Sequence, residues 1–362
     1  MNENEKLSPF HIAVLVFMSQ MGIVVFTLPN SLAVYFGTNG WLFLLICFVV
    51  STINIYFISL VFRLGKGRSV FEILERSIPK AVLYPVYIGL ASVWILFGSM
   101  IGKKYVLLFQ MMAFPTTNPM VIKLAIDILV YLLLIKGIYN ISKAATFFFW
   151  ITLWMYPLMF MFLPHFHWIR LTPFIFKEGH DMVKGGVDIY ASFLGYELFI
   201  LLFPYMDQKK KPMLAIYSGN AFVTFIYIWY SLTCFGLFSL KQLKKLLFPL
   251  LDLQALLRFP FVERLENLLF GFYLFLVLIT VVMYLLAAQE AVRRITPIAK
   301  SHFFVFITIA VGYGISYIPK SIDQVNDWIM KLGYTVTGIG FGIPIIAILV
   351  LLIQGKGGQS HV

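Results

Sequence analysis

Apolar residues fall into ten blocks, at 10–36, 41–62, 82–112, 120–136, 141–163, 187–206, 213–240, 258–289, 302–318 and 334–353. Most are near the length of about 20 residues that a helix needs to cross a bilayer. The pattern predicts an all-α integral membrane protein with ten transmembrane helices. The first block carries a flaw that an ordinary span does not need. Ser19-Gln20-Met21-Gly22 interrupts it with two polar side chains and a glycine, and Pro29 follows. Backbone groups in hydrocarbon must be bonded, so unwinding is expected only where protein encloses the freed groups and a ligand can bond to them. The sixth block holds a counterpart in Phe193-Leu194-Gly195-Tyr196-Glu197, followed by Pro204. Each flaw opens a group of five blocks. The chain thus reads as one transmembrane domain over 1–362, with a first repeat over 10–163 and a second over 187–353. In inverted repeats of this kind the first helix of each half is discontinuous, and substrate sits between the two near the midplane. No sequence identity links the halves, so this symmetry is an expectation of architecture.

Composition agrees with the blocks: 60% of residues are hydrophobic and 12% charged, with a mean hydropathy of +0.89. A soluble domain is excluded. The start of the chain, with Glu3, Glu5 and Lys6, lacks the pattern of a cleaved signal, so the first block is expected to be retained. Basic residues crowd the loops after the second block (Arg63, Lys66, Arg68, Arg76, Lys80), the sixth (Lys209, Lys210, Lys211) and the eighth (Arg293, Arg294, Lys300). By the positive-inside tendency that side is cytoplasmic, and so are both termini. Arg170, Lys177, Lys184, Lys241, Lys244 and Lys245 in the opposing loops dilute the contrast. The net charge of +12 is spread over loop ends, which fits anionic lipid headgroups and not nucleic acid. Residues 241–248 alternate basic and apolar positions, as a short amphipathic helix on the outer surface or a docking segment for a partner would.

Little in the chain carries reaction chemistry. No metal-ligand spacing, phosphate loop or nucleophile-base set is present, so no cofactor, metal or enzymatic activity is expected. His11, His165, His167, His180, His302 and His361 lie at block ends or in loops, and Cys47 and Cys234 lie in apolar runs as packing residues. Ionisable groups inside spans are costly and face cavities or partners. Glu197, beside the second flaw, reads either as a clamp on unwound backbone or as the binder of an ammonium or coupling proton. Lys103 and Lys104 are expected to snorkel outward, and Asp127 to pair with Lys123 one turn before it. The third and eighth helices flank the flawed pair, where Trp94 and Gly98, and Thr280 and Tyr284, share faces at i and i+4. The candidate ligand site is therefore Gln20, Met21, Gly22, Ile23, Trp94, Gly98, Gly195, Tyr196, Glu197, Thr280 and Tyr284. Gly22 is expected to need glycine for close approach and for its dihedral angles.

Four stretches together resemble one family: Ser19-Gln20-Met21-Gly22-Ile23 leading to Leu28-Pro29, Gly67-Arg68-Ser69-Val70-Phe71-Glu72-Ile73-Leu74-Glu75, Gly195-Tyr196-Glu197 with Pro204, and Phe261-Val262-Glu263-Arg264-Leu265-Glu266. In order and spacing, over almost the whole chain, they resemble the B subunit of bacterial spore germinant receptors. That family is similar to the amino acid/polyamine/organocation transporters, which implies the LeuT-like five-plus-five fold with broken helices 1 and 6. The resemblance implies a nutrient sensor in the inner membrane of a dormant spore, working with an A subunit and a lipoprotein C subunit and binding a small germinant, an amino acid or a sugar. Carried over by position, the germinant site falls at Gly22 and its neighbours, at Gly195 to Glu197, and on facing residues of the third and eighth helices. His11 stands where many relatives have glutamine. A secondary transporter that moves an amino acid with a proton or sodium is the alternative, because a binding site and rocking helices serve both functions.

Overall fold

The computed structural model describes residues 6–171, 174–257, 264–296 and 302–357, with side chains through 354. Seven of its helical segments are long and apolar enough to cross a bilayer, and two shorter ones, Pro9–Gln20 and His302–Ile315, are apolar as well. The chain is a multi-pass membrane protein. Its α-helices are, in order, α1 (Pro9–Gln20), α2 (Leu28–Phe36), α3 (Phe43–Leu64), α4 (Val70–Glu75), α5 (Lys80–Ala113), α6 (Pro119–Leu134) and α7 (Gly137–Leu153). After them come α8 (Met182–Tyr190), α9 (Pro212–Leu237), α10 (Leu240–Leu243), α11 (Pro249–Ala255), α12 (Leu265–Ile295), α13 (His302–Ile315) and α14 (Ile322–Gly357).

The first apolar block is two helices. After Gln20 the chain leaves the helix at Met21, makes one short 3-10 turn over Ile23–Phe26, and re-enters at Leu28. Pro29 sits in the first turn of α2, where its missing N–H is not needed, and cannot continue the helix before it. The sixth block also changes character midway. Helix α8 gives way to a 3-10 turn over Ala191–Phe193, an extended Leu194, Gly195 at φ +127°, and a 3-10 run over Tyr196–Tyr205. Runs of that length are uncommon, because the tighter winding has poorer hydrogen-bond geometry.

Some boundaries differ from the apolar pattern for plain reasons. Helix α14 begins at Ile322 because Asp323, Gln324, Asn326 and Asp327 are helical although polar. Pro157 ends the α-helical course of the fifth block, which continues as 3-10 helix over Pro157–His165. The surface helix expected at 241–248 is a single turn, α10, held by a Ser239–Gln242 capping box. Its inner side is tied down, with Leu243 buried and Asn30 Nδ2 donating to its carbonyl at 2.7 Å, while Lys241, Gln242, Lys245 and Leu247 are exposed. Residues 258–263, which include Glu263, lie outside the described residues, as do Lys300 and His361. Arg264 meets Glu266 through Nε at 3.1 Å.

The centre of the bundle is built by α1, α5, α9 and α12. Helices α5 and α12 pack along much of their length, and α1 packs on α9, α7 and α12. At Gly98 a Cβ would stand 3.1 Å from Tyr284 Cβ, so α5 and α12 approach closely here. On the outside, α3 turns Leu45, Ile46, Val49, Ile53 and Tyr56 outward as a single exposed apolar stripe. A helix face like this is dry only in lipid.

Candidate functional site

Where α1 ends, its last carbonyls lose their intrahelical partners and need others. The fold supplies them. Phe17 O keeps its ordinary helical bond, accepting from Met21 N at 2.8 Å, and the carbonyls after it are met from elsewhere. Thr280 Oγ1, on α12, has one proton to donate and lies 3.0 Å from Leu276 O in its own helix, 3.1 Å from Met18 O and 3.2 Å from Ser19 O. Gln20 O accepts from Tyr227 Oη, on α9, at 2.8 Å. The same tyrosine hydroxyl is 3.1 Å from Ser192 O, and Gln20 Nε2 donates to Phe193 O at 2.5 Å and to Asn220 Oδ1 at 3.0 Å. The two interruptions are thus stitched to each other by side chains from helices between them. Leaving one such buried group unmatched costs roughly 1–3 kcal/mol, which is why polar residues survive in these apolar blocks.

Glu197 is 4% exposed, and both its oxygens are taken. Oε2 accepts from the backbone N–H of Gly195 at 2.6 Å, and Oε1 from Tyr284 Oη at 3.0 Å. Tyr190 Oη and Tyr196 Oη, 2.6 Å apart, brace the same interruption. Gly195 needs to be glycine, since its φ is +127° and a Cβ would lie 2.9 Å from the backbone C and O of Ser19. Gly22 does not: its φ is −113°, and nothing lies within 4 Å of an added Cβ. The expectation that Gly22 is the sterically required glycine is corrected on this point.

A cavity of about 250 Å³ lies against these interruptions. Ser19, Gln20, Gly22 and Ile23 line it, with Thr280 and Tyr284 on α12, Phe97 and Lys104 on α5, Asp188 on α8 and Tyr334 on α14. Six of the residues singled out in the sequence therefore share one chamber: Gln20, Gly22, Ile23, Thr280 and Tyr284 by lining it, and Glu197 through its bond to Tyr284. Met21, Trp94, Gly98, Gly195 and Tyr196 are not part of the lining; Gly98 and Gly195 set the close approach of the elements that form it.

The structure adds residues that pattern reading passed over. Asp188 accepts from Tyr35 Oη at 2.8 Å and from Tyr334 Oη, joining α2, α8 and α14 at the cavity. Its signal was a carboxylate inside an apolar block seven residues before Gly195. Lys103 and Lys104 do not snorkel outward, since both are buried: Lys103 Nζ lies 3.1 Å from Met120 Sδ, and Lys104 faces the cavity. Lys123 and Asp127 do pair, at 2.5 Å, fully within the bundle. His11 is half-buried and stands edge-on to Tyr139, away from the cavity lining. Among the described residues no group of three or more His, Cys, Asp or Glu is placed to hold a metal ion.

The lining comes from the end of α1, α2, α5 between Phe97 and Lys104, α8, the middle of α12 and the first half of α14, so the cavity runs from the middle of the bundle toward one end. The opposite end is tied shut. Arg294, at the end of α12, meets Glu72 at 3.6 Å, Glu75 at 3.7 Å and Ser69 Oγ at 3.1 Å on and beside α4. Arg293 pairs with Glu290, which also accepts from Tyr205 Oη, and Leu7 N donates to Tyr205 O.

Residues 6–325 match the profile of a family described as spore germination protein. The chain belongs to this spore germination protein family. It is 20% identical to spore germination protein GerQB of Bacillus cereus over 91% of this chain and 92% of that one. It is 23% identical to spore germination protein A2 of Bacillus subtilis (strain 168) over 97% of each chain. Among solved structures the fold matches Mhp1, a nucleobase-cation-symport-1 family transporter in a closed conformation with bromovinylhydantoin bound, with a TM-score of 0.65. That likeness covers 96% of this chain and 78% of Mhp1 at 12% identity, so it concerns the fold. The germination family member thus has a transporter-like fold.

Proposed function

We propose that this chain is the nutrient-sensing B subunit of a spore germinant receptor, which binds a small germinant in the cavity between the two interruptions and passes a conformational change to partner subunits. The observation that carries the reading is the chamber itself. In a germination-family protein, two interrupted segments meet at a cavity whose polar walls are already braced by Thr280, Tyr227, Gln20 and Glu197. On this reading the fold is ten spans in a five-plus-five inverted repeat over one domain, with the first and sixth spans discontinuous. The short α1, α2, α6 and α13 then count as spans or half-spans, although they are too short to qualify by length alone. The protein sits among the lipids of the spore's inner membrane with both termini cytoplasmic, and its partners are the receptor's A and C subunits.

A thiol at position 22 tests the site. Gly22→Cys has room for its side chain and points it into the cavity. The expected outcome is slow labelling by a water-soluble maleimide, slowed further when germinant is present. Labelling that no germinant alters would count against a ligand chamber here. A second reading, an ion-coupled amino acid transporter, is favoured by the fold shared with Mhp1. Ligand-driven flux in liposomes separates the two.

A further inference from the structure

The cavity holds a cation that the protein leaves unpaired. Lys104 lines it from α5 at 5% exposure, and among the described residues nothing bonds or pairs with its ammonium. Lys123, by contrast, is held by both oxygens of Asp127, at 2.5 and 2.6 Å, and buried Lys103, which does not line the cavity, meets Met120 Sδ at 3.1 Å. The Lys104 ammonium opens onto the cavity, and an apolar residue at position 104 would avoid the cost of carrying a charge inside the bundle. A lysine kept at a cavity wall without a protein counter-ion is accounted for if the counter-ion arrives with the ligand.

We propose that Lys104 is the anion-binding pole of this cavity and pairs with a carboxylate on the solute that enters it. The inference rests on the reading of the cavity as the ligand site and names the ligand's chemical class. Asp188 is the carboxylate among the lining residues, and each of its oxygens accepts from one tyrosine hydroxyl. A carboxylate has further acceptor capacity, so a solute ammonium can be held there. A cation on α5 and an anion on α8 line the same cavity, as both poles of a zwitterionic α-amino acid would need; a neutral sugar or nucleoside would leave Lys104 unpaired. The cavity's 250 Å³ falls below the roughly 300–1,000 Å³ of drug-sized pockets, which favours a small side chain.

The test uses the purified full-length protein in lipid nanodiscs, with equilibrium binding and thermal unfolding as readouts. Probes are the standard L-amino acids, the α-amides of those that bind, glucose, myo-inositol, acetate and sodium chloride. An amino acid should bind, its amide should bind at least about 10-fold more weakly, and Lys104→Gln should weaken the amino acid by about 10- to 100-fold while leaving the amide unchanged. Lys104→Met, which removes the unpaired charge, should raise the unfolding midpoint of the ligand-free protein and shrink the shift that the amino acid produces. Equal binding of acid and amide, an unchanged affinity in Lys104→Gln, binding of chloride or acetate alone, or no binding at all would overturn the proposal. So would a lower ligand-free midpoint in Lys104→Met, which would make the ammonium structural. If a neutral solute protects the Gly22→Cys thiol, the ligand chamber stands and the anion pole falls. If an amino acid binds without protecting that thiol, the chamber reading itself fails.

Discussion

Two glycines that look alike in sequence do different work. Gly195 has a backbone angle that L-residues rarely adopt and lies against the Ser19 backbone, whereas Gly22 is in ordinary extended backbone facing open space. Gly195→Ala is therefore expected to lower stability by about 1–3 kcal/mol or more, and Gly22→Ala by less than about 1 kcal/mol. Thermal midpoints of the two purified variants check this, and equal losses would refute the distinction. Both positions were legible as interruptions, because glycine beside polar residues in an apolar block has few other meanings. Which of them needs glycine was not legible, since φ and the distance to a segment 176 residues away depend on packing that no local pattern encodes. Lys104 was misplaced for a related reason: a lysine near a span end snorkels or faces a cavity according to the side of the helix that lipid covers, and only the neighbours decide that.

The interrupted segments themselves were readable, and their partners only in part. Ser19-Gln20 and Glu197 announced themselves as polar residues in hydrocarbon and Thr280 as a hydroxyl on a flanking helix, while Tyr227 looks like an ordinary member of α9 until it meets the carbonyl of Gln20. The short helix α4 is a similar case. Its motif was noticed as a family likeness, but its role emerges from the contacts of Arg294 with Glu72, Glu75 and Ser69. Each of these partly exposed pairs alone contributes at most about 1 kcal/mol, yet together with Lys6, Leu7 and Tyr205 they tie four segments at the end away from the cavity. Opening that end should then be the consequence of weakening them. Gly22→Cys in sealed proteoliposomes is expected to be labelled from the cavity side alone, and the double variant with Arg294→Ala from both sides. If the second variant stays protected on the α4 side, the closure lies elsewhere.

A fold shared with a transporter leaves the whole molecule two uses for one architecture, and Glu197 is where they part. A carboxylate that couples transport has to exchange a proton or ion during the cycle and meet water from both sides in turn. Here its two oxygens are held by Gly195 N–H and Tyr284 O–H, and it is 4% exposed. On the proposed reading Glu197 is a static clamp and belongs to a receptor. Glutamine can still accept one of the two bonds, so Glu197→Gln is expected to cost roughly 1–3 kcal/mol of site stability. In a dose-response measurement that energy corresponds to a germinant requirement raised about 10- to 100-fold, with spores still responding at saturation. A coupling carboxylate predicts something else, since glutamine cannot take up and release a proton: gradient-driven uptake would vanish while binding survived. Wild-type protein in liposomes is expected not to accumulate labelled germinant against its gradient. Accumulation by the wild type, lost in Glu197→Gln, would make this chain a transporter and remove the receptor reading.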